Sequence, residues 1–141
     1  LRPRGFSVVT RIVYVHQAIC LAFFVAGLKV LHDHGLEELV GPHLLGIVLA
    51  TAVLFAMFGV ATQKSVSALT WLRIILWTGV IKVLVVQGWL LAQGTTALTS
   101  YLHALVINEL IAVPLAVYWS RPVHRRYLTS LRIGDEVTGP S

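Results

Sequence analysis

Residues 42–63 read PHLLGIVLATAVLFAMFGVATQ, an apolar run without an Asp, Glu, Lys or Arg residue. About 20 such residues are enough for a helix to cross the hydrocarbon core of a bilayer. Gly41-Pro42 begins the run and puts Pro42 at a first helical position, where its missing N–H does no harm. The run therefore predicts a membrane-spanning helix.

Three further apolar runs of similar length flank this one, at 6–31, 68–93 and 98–120. Of the 141 residues, 57% are hydrophobic and 12% are charged, and the mean hydropathy is +0.81. A soluble domain of this size needs far more polar surface. The sequence therefore predicts an all-α integral membrane four-helix bundle, formed as a single membrane domain over 1–141 with a polar cytoplasmic tail at 121–141.

The basic residues are distributed unevenly between the two sides of the predicted helices. The outer side has Lys29 beside the acidic loop residues Asp33, Glu37 and Glu38. The other side has nine basic residues, which are Arg2, Arg4, Arg11, Lys64, Arg73, Arg121, Arg125, Arg126 and Arg132. Because cytoplasmic flanks retain positive charge, we expect both termini in the cytoplasm and a multi-pass protein of the inner (plasma) membrane.

The sequence pI near 9.9 does not by itself indicate a nucleic-acid-binding protein. The basic residues are split among three membrane flanks and lack the compact basic face that phosphate binding needs. The expected partner of these flanks is the lipid bilayer with its anionic head groups, and nucleic acid is not expected.

Lys82 and Glu109 each place a charge near the centre of an apolar run, where ionisable groups are costly. Lys82 lies 14 residues before residue 96 and Glu109 lies 13 after it, so a helical hairpin puts both at nearly the same depth. The sequence thus predicts an intramembrane charge pair, with Asn108 as a further hydrogen-bonding partner. Two alternatives stay open: contacts to another subunit, or a proton or cation site at Glu109 tuned by Lys82.

The histidines and the cysteine complete the list of candidate chemical groups. His43 and His103 both lie near the outer ends of their helices, so they match in depth as bis-histidine haem ligation requires. They are candidate ligand-binding residues, and the cofactor that they would bind is haem. His16, beside Gln17, is predicted to be a hydrogen-bonded packing residue. Cys20 is the only cysteine, which excludes an intramolecular disulfide and a C-x-x-C redox pair. With no hydrolase, metalloprotease or phosphate-loop motif in the sequence, we expect no catalytic residues, no metal site and no enzyme activity.

The two ends of the chain carry a resemblance to a known group. The opening RPRGFSVV at 2–9 and the closing YWSRPVHRRY at 118–127 resemble the ends of a loose group of small four-helix bacterial inner-membrane proteins, most of them uncharacterised. That group often begins with an R-P-x-G-like segment and ends with Y-L-x-R-P-x-V-R-x-Y/F. The resemblance implies the four-helix layout and supplies no catalytic residues. His124 stands where an acidic or polar residue is frequent in the group.

These features favour a non-catalytic accessory or assembly subunit of a larger membrane protein complex, with other membrane subunits as partners. The alternative is a small oligomeric proton-coupled transporter or channel that uses Glu109. It would be similar in size to the small multidrug exporters, although those rely on a carboxylate in the first helix, and helix 1 here has none in its membrane part. A haem or quinone electron carrier is the third possibility.

Overall fold

The computed structural model describes residues 2–92 and 99–138, without the side chains of residues 90, 99–102, 104, 105 and 136–138. All regular structure in this part of the chain is helical, which confirms the all-α prediction. The helices are α1 (Phe6–Asp33), α2 (Val40–Gln63), α3 (Val66–Ala92), α4 (Thr99–Ser120) and α5 (Pro122–Thr138), with a short 3₁₀ turn at Glu37–Leu39 before α2. The described ends of α1 to α4 fall within about two residues of the predicted bounds, the usual uncertainty of helix ends.

Among the described residues, three segments are long and apolar enough to cross a membrane: α1, Glu37–Gln63 and Val66–Trp89. In α4 the corresponding apolar stretch of the described residues is shorter, Val106–Ser120. The outward faces are apolar as well, since Phe55 of α2 is 74% exposed and Leu110 of α4 is 71% exposed. Large exposed apolar surfaces indicate contact with lipid or with other proteins. The chain therefore has the transmembrane helices of a membrane protein.

The first four helices pack in chain order, α1 on α2, α2 on α3 and α3 on α4. The turn between α2 and α3 is tight: Lys64 ends α2 with a left-handed φ of 53°, and the Ser65 hydroxyl caps α3 by accepting the N–H of Ala68 at 3.1 Å. A Cβ atom on Gly59 would lie 2.8 Å from the Cβ atom of Ala68. The absence of a side chain at Gly59 thus lets α2 and α3 approach closely at this end.

The main hydrophobic core lies at the end of the bundle where α1 begins and α4 finishes. There the ring of Phe6 packs edge-on against Trp119, with 5.4 Å between centroids, and α1 and α4 meet. The buried members of this core are Phe6, Val13, Val53, Ala56, Met57, Val60, Leu69, Leu72, Leu76, Val80, Ala112, Leu115, Ala116, Trp119 and Leu128. A second, small cluster around Leu31 and Leu39 closes the opposite end.

The segment after α4 is helical, a feature that the prediction of a polar tail over 121–141 did not include. Pro122 stands at the first position of α5, where its fixed φ favours helix formation. His124 and Leu128 are fully buried, and the ring of His124 lies 4.9 Å from that of Trp119 and 6.2 Å from that of Phe6. The helix forms because this apolar side packs on the end of the bundle while its arginines stay exposed.

Arg73 of α3 joins α3 to the junction between α4 and α5. Its Nε donates to the carbonyl of Trp119 at 2.7 Å, and its Nη2 donates to the carbonyl of Arg121 at 3.0 Å. Carbonyls at a helix C-terminus lack intrahelical donors, and a cation there also complements the helix dipole. One turn along α3, the indole N–H of Trp77 donates to the hydroxyl of Ser120 at 2.9 Å. Together these bonds fix the height of α3 relative to α4.

Candidate functional site

A cluster of polar side chains connects α1 with α4 near the middle of the bundle. His16 Nε2 lies 2.8 Å from Asn108 Oδ1, and the thiol of Cys20 donates to the same oxygen at 3.1 Å. The amide nitrogen of Gln17 lies 3.1 Å from His16 Nδ1. Because an amide oxygen only accepts and an amide NH₂ only donates, this pattern requires a neutral His16 with its proton on Nε2. The prediction that His16 is a hydrogen-bonded packing residue is confirmed.

The positions of these residues along the helices explain why they meet. His16, Gln17 and Cys20 follow the spacing i, i+1 and i+4, which puts them on one side of α1. His16 lies 10 residues after the start of α1 at Phe6, and Asn108 lies 12 residues before the end of α4 at Ser120. The two ends meet through Phe6 and Trp119, so His16 and Asn108 reach similar depths. Counting from this end of the helices would have placed His16 and Asn108 at similar depths from the sequence, but not facing each other.

Next to this cluster the bundle has a small, partly open cavity of about 50 Å³. About 10–15 Å³ measured in this way holds one water, so the cavity has room for a few water-sized groups. The four helices α1 to α4 all contribute to its wall. Its polar residues are His16, Gln17, Cys20, Lys82 and Asn108, and apolar residues of α2 and α3 form most of the remainder.

Lys82 of α3 is the one basic residue in the lining of this cavity. Its ammonium nitrogen lies 4.3 Å from the centroid of the Phe24 ring, a cation–π distance. A Cβ atom on Gly46 of α2 would lie 2.8 Å from that nitrogen and 2.8 Å from two carbons of the Phe24 ring. Gly46 therefore leaves the space in which the ammonium and the ring sit.

Glu109 of α4 lies in a different place, an open depression of about 490 Å³ between α3 and α4. Both of its carboxylate oxygens are shielded from solvent and have no hydrogen-bond partner among the described residues, and the same holds for Nε2 of Gln87 in the same depression. The rest of the lining is apolar: Leu84, Val106, Leu110, Val113 and Pro114. The depression thus combines an apolar wall with polar groups that lack partners within this chain.

Within the described structure, Lys82 and Glu109 do not form the predicted ion pair. Lys82 lines the central cavity, whereas Glu109 shares its depression with Gln87, five residues further along α3. Five residues turn a helix by about 500°, or roughly 140° beyond one full turn, so these two side chains of α3 point in different directions. Counting residues estimates depth in the membrane but not direction around the helix. Asn108, expected as a third member of the pair, instead accepts hydrogen bonds from His16 and Cys20.

The two candidate haem ligands are also in different surroundings. His43 is 1% exposed and packs against α1, with its ring 5.3 Å from that of Phe24 and 6.1 Å from that of Phe23. A Cβ atom on Gly27 would lie 2.7 Å from His43 Nε2, so this nitrogen is pressed against the α1 backbone. His103 is exposed on α4. The structure thus places His43 within the bundle and His103 on its surface.

Over residues 2–92 and 99–138, no group of three or more His, Cys, Asp or Glu side chains is placed to hold a metal ion. At the end of the bundle near Leu31 and Leu39, His32 Nδ1 lies 2.8 Å from a carboxylate oxygen of Glu37, and Lys29 Nζ lies 3.0 Å from a carboxylate oxygen of Asp33, so these polar groups contact one another. Comparisons of the chain with protein-family models, with curated proteins and with solved structures give no match.

Proposed function

We propose that the chain is a non-catalytic accessory or assembly subunit of a larger membrane protein complex. In this proposal α1 to α4 each cross the inner membrane, and both termini with α5 lie on the cytoplasmic side. The resemblance of residues 2–9 and 118–127 to small bacterial inner-membrane proteins agrees with this arrangement. The observation that carries the proposal is the unpartnered carboxyl of Glu109 in the open depression between α3 and α4.

A carboxyl at this depth needs an explanation, because an acidic side chain near the centre of a spanning helix costs about 2.5–3.5 kcal/mol on insertion scales. Residues of this kind normally face a protein interior or another polar group. No described residue supplies a hydrogen bond to Glu109 or to Nε2 of Gln87. A partner in the membrane can supply the missing bonds to both.

The chemistry of the depression defines the partner. Its apolar wall fits the side of a transmembrane helix, and its free acceptor fits a basic or amide side chain on that helix. A second copy of the chain is a poorer fit, since it would bring another Glu109 carboxyl toward the first. We therefore propose a transmembrane helix of a different protein that carries an Arg, Lys, Asn or Gln residue facing Glu109.

Site-specific photo-crosslinking in native membranes tests this proposal. A photoreactive residue at Leu110, beside Glu109, should give an adduct of defined mass, and the crosslinked peptide should come from a transmembrane segment with a basic or amide residue. Phe55 is the matched control, because it is apolar and similarly exposed but lies on α2. The Leu110 adduct should be lost in Glu109→Leu, which removes the carboxyl.

Other results would count against the proposal. Equal labelling of lipid and diverse proteins from Leu110 and Phe55 would mean that the α3–α4 face has no specific partner. A crosslink only between two copies of the chain would replace the accessory subunit with a homo-oligomer. In that case the small oligomeric transporter becomes the leading function.

The proton-coupled transporter or channel is the second candidate, and one observation favours it. Pro114 lies in the same depression as Glu109, and its missing N–H leaves the carbonyl of Leu110 without its usual donor. The Glu109 carboxyl can take up and release a proton, and a carbonyl without its helical donor is an oxygen ligand for a cation. Flux driven by a pH gradient in vesicles, abolished by Glu109→Gln, would support this candidate. The third candidate, a haem or quinone carrier, gains no support from the positions of His43 and His103.

A further inference from the structure

The charges within the spanning segments are not balanced at the central cavity. The chain has six acidic residues, and of these only Glu109 lies well inside the apolar runs. Its carboxylate oxygens, which have no described partner, lie in the open depression between α3 and α4, whereas Lys82 lines the central cavity. In the part of the chain that the structure describes, no carboxylate lies within ion-pair distance of the Lys82 ammonium.

The other polar groups of the cavity add hydrogen-bond donors. An ammonium has three N–H donors and no acceptor. The oxygen of Asn108 already accepts from His16 and Cys20, which leaves the Asn108 amide N–H groups as donors. His16 uses Nε2 toward Asn108 and Nδ1 toward Gln17. Only the neutral amide oxygen of Gln17 remains as a strong side-chain acceptor, so the wall has an excess of donors and one positive charge.

From this geometry we propose that the central cavity binds a small monovalent anion of about the size of chloride, held by the Lys82 ammonium and the Asn108 amide. Lys82 is half-buried in an apolar helix, where a charge is costly unless it is paired, and an anion in the cavity would pair it within the bundle. The volume of about 50 Å³ suits a chloride-sized ion. Gly46 leaves room for the ammonium, and the Phe24 ring holds it at the cavity wall through the cation–π contact.

The anion site goes beyond the proposed accessory role and does not depend on a partner protein, because helices of this chain alone form the cavity wall. It can therefore be tested on the purified chain in detergent. Thermal unfolding is measured while sodium chloride replaces sodium gluconate at constant ionic strength, and the line width of the ³⁵Cl NMR signal is recorded in parallel. Chloride should raise Tm along a saturating curve and broaden the NMR signal, and bromide should compete with it.

Two lysine variants separate the cavity from non-specific salt effects. Lys82→Met should reduce the apparent chloride affinity at least tenfold. Lys29→Met is the matched control, because Lys29 is an exposed lysine of α1 paired with Asp33, and it should retain the wild-type response. Gly46→Ala, which pushes the ammonium from its position, should weaken chloride binding without removing the charge.

A wild-type protein whose Tm and NMR line width are the same in chloride and gluconate would overturn the anion site, whatever the variants do. A chloride response that survives in Lys82→Met would also overturn it. If Lys82→Met does not fold, the wild-type comparison together with Gly46→Ala still decides. Crosslinking at Leu110 tests the accessory role separately, so either proposal can fail while the other holds.

Discussion

Replacing Arg73 by methionine should destabilise the protein by about 2–3 kcal/mol. The substitution removes the hydrogen bonds to the carbonyls of Trp119, at 2.7 Å, and Arg121, at 3.0 Å. A hydrogen bond from a charged group contributes about 1.5–3 kcal/mol. The bond to Trp119 is partly buried and should count in that range, whereas the bond to Arg121 is exposed and competes with water. Methionine keeps most of the apolar stem, so little packing is lost.

Arg73→Lys provides an intermediate case. The lysine keeps the positive charge, but its compact ammonium cannot reproduce the two diverging N–H groups of a guanidinium. We expect a loss of about 1 kcal/mol, because one of the two carbonyls keeps a donor. The order of stability should therefore be wild type, Arg73→Lys and Arg73→Met.

The measurement is reversible unfolding in mixed micelles, followed by helical circular dichroism as the SDS fraction increases. Arg126→Met is the control, since Arg126 is an exposed arginine of α5 and its loss tests the general effect of removing a positive charge. If Arg73→Met and Arg126→Met agree within about 0.5 kcal/mol, the scale expected of ordinary surface substitutions, Arg73 does not stabilise the α3–α4 junction as argued.

Three further predictions concern the packing of the bundle. Asn108→Leu removes the oxygen that accepts from α1 and leaves a buried imidazole N–H unpaired, which should cost about 1–3 kcal/mol in the same unfolding assay. Gly27→Ala should lower Tm because its Cβ would lie 2.7 Å from Nε2 of the buried His43, whereas Gly88→Ala, with open space around the new Cβ, should leave Tm unchanged or raise it. Burial lowers the pKa of His124. The backbone of Tyr118 raises this pKa in part, and the positive charges of Arg73 and Arg121 lower it further. The unfolded state then binds more protons than the folded state below about pH 6.5, so stability should fall as the pH drops below that value, and His124→Phe should reduce the slope of unfolding free energy against pH.

The helices themselves were predictable because the length of an apolar run is a local property of the sequence. The run 42–63 became α2 at Val40–Gln63, and the run 6–31 became α1 at Phe6–Asp33. Helix α5 was not predicted, because a search for uniformly apolar runs does not detect an amphipathic segment with arginines on one side. The signal available in the sequence was the four-residue spacing of His124 and Leu128, which are buried, among arginines, which are exposed.

The directions of Lys82 and Glu109 could not be predicted in the same way, and the reason is specific to membranes. In a soluble bundle the apolar side of a helix identifies the core, but lipid and core are both apolar, so α3 and α4 are hydrophobic on all sides. Direction then depends on the few polar side chains and on glycines that make room for them, such as Gly46 beside Lys82. A depth match between opposite charges is thus not sufficient to predict an ion pair in a membrane bundle. When the acid and the base line different cavities, each charge needs a separate partner, and the two proposals assign a partner helix to Glu109 and a small anion to Lys82.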